Sequence, residues 1–134
     1  MNLAELYNTA DRNNIKVDCF RLNNQPCLSV QDNNYNCYIA VDPVKLKSEK
    51  QERELLAHEL GHCMTGAFYT CSSPLQVRGQ MEWRAKFWQI KKLIPKDELQ
   101  KAVKNGIIEL WELAEYFEVT EDLMKTAVEY YKNN

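Results

Sequence analysis

The residues best suited to chemistry are the two histidines of this 134-residue chain, which has no others: His58 and His62, in the run His58-Glu59-Leu60-Gly61-His62. This is an H-E-x-x-H pattern, and its use depends on helical geometry. On a helix, four residues at about 100° each return His62 to within roughly 40° of His58, one turn further on. Two imidazoles on one face can then reach a single metal ion, at Zn–N distances of about 2.0–2.1 Å. Glu59 sits on the neighbouring edge of that face, placed to take a proton from water at the metal and not to bind the metal itself. A lone histidine would more often be a core or surface filler. Both histidines at i and i+4 around a glutamate, with the small Gly61 between them, favour a metal site over a coincidental helix face.

A catalytic zinc takes three protein ligands and keeps one position open. With no third histidine, the third ligand must be Asp, Glu or Cys. The downstream candidates are Cys71, Glu82, Asp97 and Glu98, of which Glu82 is the strongest. It belongs to Glu82-Trp83-Arg84-Ala85, where Ala85 is small enough to let two helices approach. Spacing alone leaves Glu82 evenly balanced between metal ligand and solvated helix residue. Cys63, directly after His62, fits a packed residue better than a ligand. Tyr69 and Arg78 fall between the two ligand-bearing helices and are weaker candidates for donating to an oxyanion.

These residues need elements to hold them. Ser48-Glu49-Lys50-Gln51 is a capping box that starts a helix running to about Thr65, with Leu55, Leu56, Leu60 and Cys63 as its apolar stripe and Gly66 as its exit. Ser73-Pro74 starts a second helix. Trp83, Phe87, Ile90 and Ile94 recur on it at helical spacing and are expected in the core, and Pro95 ends it. Ahead of these, residues 2–11 read as a short amphipathic helix. Residues 15–22, 26–31 and 35–41 read as strands, with turns at Asn23-Asn24 and at Asp32-Asn33-Asn34, where Asn and Asp tolerate left-handed backbone angles. Short connections predict a small antiparallel meander. After Pro95 the pattern predicts helices at 96–104, 107–117 and 121–131, the last capped by Thr120. The reading is an α+β fold: an N-terminal helix, a three-stranded antiparallel sheet and a helical half.

Composition sets the outer limits. The chain is 45% hydrophobic and 27% charged, ordinary for a globular domain and unlike a disordered or low-complexity one. Its length suits one domain, 1–134, with a sheet and metal-site core at 1–95 and a helical subdomain at 96–134. Net charge is −2, which disfavours a general nucleic-acid binder. No apolar run can span a bilayer, and the N-terminus lacks the basic start and apolar core of a signal peptide, so a cytoplasmic location is expected. Five cysteines with no C-x-x-C pair fit neither a disulfide framework nor a four-cysteine zinc site; Cys19, Cys27 and Cys37 read as small core residues. Charge is uneven: residues 84–104 hold seven basic groups and two acids, whereas residues 107–134 hold seven acids and two lysines. The simplest account is two solvated faces.

The segment from Glu54 to Pro95 resembles the ImmA/IrrE family of zinc metallopeptidases. The likeness rests on His58-Glu59-Leu60-Gly61-His62-Cys63, Thr65-Gly66-Ala67-Phe68-Tyr69, Ser73-Pro74, Glu82-x-x-Ala85 and the closing Lys91-Lys92-Leu93-Ile94-Pro95. The run from Trp111 to Thr120 fits the family's helical tail, and the likeness covers roughly residues 35–131. It implies His58 and His62 as zinc ligands, Glu59 as catalytic base and Glu82 as third ligand. Many members carry a second acid directly before the alanine, where this chain has Arg84, so Glu82 is the one carboxylate near that part of the motif. The resemblance further implies a zinc-dependent endopeptidase acting on a helix-turn-helix repressor, often of a prophage or mobile element, with no direct nucleic-acid or membrane partner. A site of two histidines and one carboxylate also accepts manganese or iron.

Two other readings differ in class. One is a protein that keeps the zinc-peptidase scaffold and binds a repressor without cutting it. The other is a DNA-binding accessory protein using residues 113–123 as a helix-turn-helix. The second is disfavoured because that helix opens on Glu121-Asp122 and carries Glu129, which phosphates would repel.

Overall fold

Local capping chemistry places the first elements. In the computed structural model, which describes residues 1–134, the Asn2 side chain accepts the Glu5 N–H at 2.8 Å and starts helix α1, Leu3–Arg12. Three strands follow, β1 (Lys16–Cys19), β2 (Cys27–Gln31) and β3 (Cys37–Val41). Helix α2, Glu49–Thr65, starts at Ser48, whose Oγ accepts the Gln51 N–H at 3.1 Å. The return arm of the capping box reaches one residue further out than expected: Gln51 Oε1 accepts from Lys47 N, not Ser48 N, at 2.6 Å. Gly66 ends α2 in the left-handed conformation, φ 66°, as a glycine after a helix commonly does. Helix α3 spans Leu75–Leu93, followed by α4 (Lys96–Lys104), α5 (Leu110–Phe117) and α6 (Glu121–Asn133). No helix is long and apolar enough to cross a membrane.

The α+β class holds, but the antiparallel meander does not. The strand order is β1-β3-β2: β2 and β3 are antiparallel, whereas β1 lies on the other side of β3 and parallel to it. A buried carboxylate, Asp42, sits just past the end of β3 where the connecting segment crosses. Asp42 accepts the N–H of Leu22 at 2.9 Å and of Val44 at 3.1 Å, and meets Lys45 Nζ at 3.3 Å. Its own N–H donates to Pro26 O at 2.8 Å. The segment joining β1 to β2 is thereby fastened across the end of β3 instead of folding back as a hairpin. Between β2 and β3, the residue with the left-handed angle is Tyr35, φ 63°, not one of the asparagines; Asp32 supports the turn by accepting the N–H groups of Asn34 and Asn36.

The chain forms two compact units, Met1–Gln89 and Ile90–Asn134, with the boundary inside α3. In the first, α2 lies against α1, β2 and β3. Leu6, Ile39, Leu56 and Leu60 are fully buried there. Tyr7 donates to Glu52 at 2.6 Å and Gln89 Nε2 to Glu54 O at 2.8 Å, tying α1 and α3 to α2. At Gly61 the two helices come so close that an added Cβ would collide with the Ala85 carbonyl oxygen and lie 2.9 Å from Ala85 Cα. Of the residues expected in the core, Ile90 and Ile94 are buried, as are Ala85 and Gln89, whereas Trp83 is 49% exposed and packs on Phe87. In the second unit, Leu99, Leu113, Phe117, Val119, Leu123 and Met124 are buried. Helix α5 starts at Leu110, three residues later than the pattern predicts. Glu118 caps it in the left-handed region, φ 55°, and Thr120 caps α6. Tyr131 donates to Ile94 O at 2.7 Å.

Two predictions follow from this packing. Alanine has the same helix propensity advantage over glycine at both Gly61 and Gly79, but only Gly61 faces a neighbour. Gly61→Ala should lower the free energy of unfolding by about 1–3 kcal/mol through overpacking. Gly79→Ala, with open space around it, should raise it by about 0.5–1 kcal/mol; urea unfolding of the two variants checks the opposite signs. For Asp42, the Leu22 N–H chiefly, aided by Lys45 and Val44 against the opposing effect of burial, holds the carboxyl below its ordinary value of 3.8. A depressed carboxylate stabilises the fold above its unfolded pKa and loses that contribution as pH falls through the folded value. Urea midpoints should therefore fall more steeply below about pH 4 in the wild type than in Asp42→Asn.

Candidate metal centre

Helix α2 carries His58 and His62 one turn apart, with ring centroids 4.9 Å from each other. Helix α3 supplies Glu82 one turn before Ala85, the residue that touches Gly61. The crossing therefore delivers the carboxylate directly to the histidine pair. His58 Nε2 lies 3.1 Å from Glu82 Oε1, and His62 Nε2 lies 3.0 Å from Glu82 Oε2. The three ligand atoms all fall within 4.8 Å of one another. Tetrahedral bonds of about 2.0–2.1 Å put ligand atoms roughly 3.3 Å apart, so the spacing suits one small dication. Of the four downstream candidates, Glu82 joins the histidines. Cys71 is exposed outside this trio, and Asp97 and Glu98 occupy the first turn of α4 in the second unit.

The surroundings favour metal binding. His62 Nδ1 meets Ala67 O at 2.6 Å. A carbonyl can only accept, so the hydrogen is on Nδ1 and the lone pair for a metal is on Nε2. Gly66 makes this contact available: its left-handed turn brings Ala67 back against the helix end, where Ala67 N also donates to His62 O. Burial pushes the Glu82 carboxyl upward, but the Tyr69 hydroxyl and the two imidazoles outweigh it, and Glu82 is held below its ordinary value as an anion. The Tyr69 hydroxyl donates to Glu82 Oε2 at 2.9 Å, and burial together with this bond keeps it protonated. Arg78, the other residue considered as an oxyanion donor, does not line the cleft beside the histidines. Burial pushes the Cys27 thiol up to about 12 and the Cys63 thiol up as well, and neither cysteine belongs to the trio. Cys63 is engaged with Cys37 by a side-chain hydrogen bond.

Glu59 does not join the trio. It faces β2, where its Oε2 accepts from the hydroxyl of Ser29. His58, Glu59, His62 and Glu82 line one wall of a cleft of about 420 Å³. Pro26, Cys27, Leu28 and Ser29, at and just before the start of β2, line it as well, as do Phe68 and Tyr69. Ser29 carries a signal that went unread in the sequence. Within β2 the inward positions are Cys27, Ser29 and Gln31, alternating with the exposed Leu28 and Val30. A hydroxyl at an inward position of a strand needs a partner, and the partner is Glu59.

The arrangement is a trio of side chains that could hold one metal ion, in an open cleft with a second carboxylate beside it. The comparisons agree with that chemistry. A peptidase family model, described as the IrrE N-terminal-like domain, matches residues 10–128, a span that includes the sheet, both ligand-bearing helices and most of the helical tail. No curated protein and no solved structure matches the chain. A match over most of the chain, coinciding with a metal-ready trio, places this protein in the IrrE N-terminal-like domain family of peptidases.

Proposed function

We propose that this chain is a zinc-dependent endopeptidase that cleaves a helix-turn-helix transcriptional repressor. The observation that carries the reading is the trio His58, His62 and Glu82, with ligand atoms within 4.8 Å, beside Glu59 on the wall of an open cleft. Family membership supports metallopeptidase chemistry. The repressor as substrate comes from the resemblance to ImmA/IrrE proteins. Two imidazole nitrogens and a carboxylate suit zinc and also accept manganese or iron.

His58, His62 and Glu82 hold the metal, and Tyr69 and Ala67 orient two of those ligands from behind. When bound, the metal supplies Lewis-acid chemistry, making water acidic near neutral pH and drawing charge from a carbonyl oxygen. Glu59 is the general base. It takes one proton from the attacking water as the new C–O bond forms, and passes it to the departing amine as the C–N bond breaks. The substrate lies along β2. As an edge strand that also forms a cleft wall, β2 can pair with an extended peptide through its outer backbone groups. Leu28 and Phe68 give that peptide an apolar surface beside the reacting bond.

Metal analysis of purified protein should find about one ion per chain in the wild type, after reconstitution where needed, and a loss in His62→Ala and Glu82→Ala. Glu59→Gln should retain the metal and cut repressors about 10²–10⁴ times more slowly, read as intact mass over time. A wild type that takes no zinc, manganese or iron would overturn the metal site. A Glu59→Gln variant cutting at the wild-type rate would overturn the mechanism. Release of intact repressor from its operator, equally by wild type and Glu59→Gln, would instead select a protein that binds without cutting.

A further inference from the structure

Glu59 needs more than a location. A glutamate has three rotatable side-chain bonds, and a base that transfers the same proton twice must keep its carboxyl aimed throughout. Helix α2 fixes only its Cα. The structure holds the far end from another element: the Ser29 hydroxyl, on β2, donates to Glu59 Oε2. Ser29 is in turn held by the sheet, opposite the buried Ile39 of β3. A serine hydroxyl has one hydrogen to give. Given to Oε2, it leaves Oε1 for the reacting proton, and the bond can persist while Oε1 is protonated.

We propose that Ser29 is a positioning residue for Glu59, holding its carboxyl in one orientation so that the proton taken from water is presented unchanged to the leaving amine. This rests on Glu59 being the general base. Ser29 is also a wall of the cleft, so its position couples the strand on which the substrate would lie to the group that acts on that substrate. The competing account is a structural tie between β2 and α2, with no consequence for chemistry beyond stability.

Zinc-loaded wild type, Ser29→Ala, Ser29→Val and Ser29→Thr separate the two. Thr and Val have nearly the same shape and both suit a strand, so they differ at this site by the hydroxyl alone. Ser29→Ala and Ser29→Val should keep the metal, the thermal midpoint and KM, while kcat falls about 10–100-fold. Ser29→Thr should restore most of that rate. Crystal structures should show one Glu59 orientation in the wild type and Ser29→Thr, and several in Ser29→Ala. An unchanged kcat in Ser29→Ala, or one Glu59 orientation in all four proteins, would overturn the proposal. So would a loss of rate that tracks a loss of thermal midpoint and that threonine does not rescue. If the wild type cut no repressor, the peptidase reading would fail separately, and the Glu59 orientations would still decide whether Ser29 positions it.

Discussion

Gly61 lies so close to the Ala85 backbone that α2 has no room for a side chain at that position. The metal centre depends on this contact. The histidine pair needs only the pitch of α2, but a third ligand has to come from elsewhere in the chain. Because Glu82 is one turn from Ala85, its carboxylate arrives within 3.1 Å of both histidine Nε2 atoms. On the same helix Trp83 is half exposed, although its spacing is that of a core residue. Glycine within a helix ordinarily costs about 1 kcal/mol against alanine. Here it allows two backbones to meet at a depth from which the Glu82 carboxylate reaches both imidazoles.

Within the trio, His62 and Glu82 each have an orienting neighbour. Ala67 O can only accept, so His62 presents Nε2 inward. Tyr69 gives its hydrogen to Glu82 and, with the imidazoles, keeps that carboxylate ionised in spite of burial. The thiols of Cys27 and Cys63 lie outside the trio, and burial raises the pKa of both. Glu59, turned towards β2, stands apart from the trio although it adjoins His58 in the chain. The two carboxylates of the cleft thus have different partners, Ser29 for Glu59 and Tyr69 for Glu82.

The sheet contributes through its order as well as its strands. With β1 and β2 on opposite sides of β3, β2 becomes an edge strand and lines the cleft together with the histidines. A meander would have placed β2 in the middle, paired on both sides and without a free edge. Asp42 fastens the segment that crosses the end of β3 in the observed order.

Short-range geometry was legible in the sequence. The i, i+4 histidines around Glu59, the Ser48 cap, the Gly66 exit and the Thr120 cap all depend on residues within a turn of one another, and each is found as expected. Glu82 was legible as a candidate, because a small residue one turn later marks a close helix contact, but spacing alone could not separate a ligand from a solvated acid. The fold's long-range choices lay outside that reach. The observed strand order brings Leu22 to Asp42 across twenty positions, and the close approach of α3 to α2 brings Ala85 to Gly61. Ser29 looked like one more strand residue until β2 was laid against α2 and its hydroxyl met Glu59. Helical pitch and capping act within a few residues and can be read along the chain, whereas register, helix crossing and the pairing of a strand hydroxyl with a helix carboxylate exist only once distant segments share space.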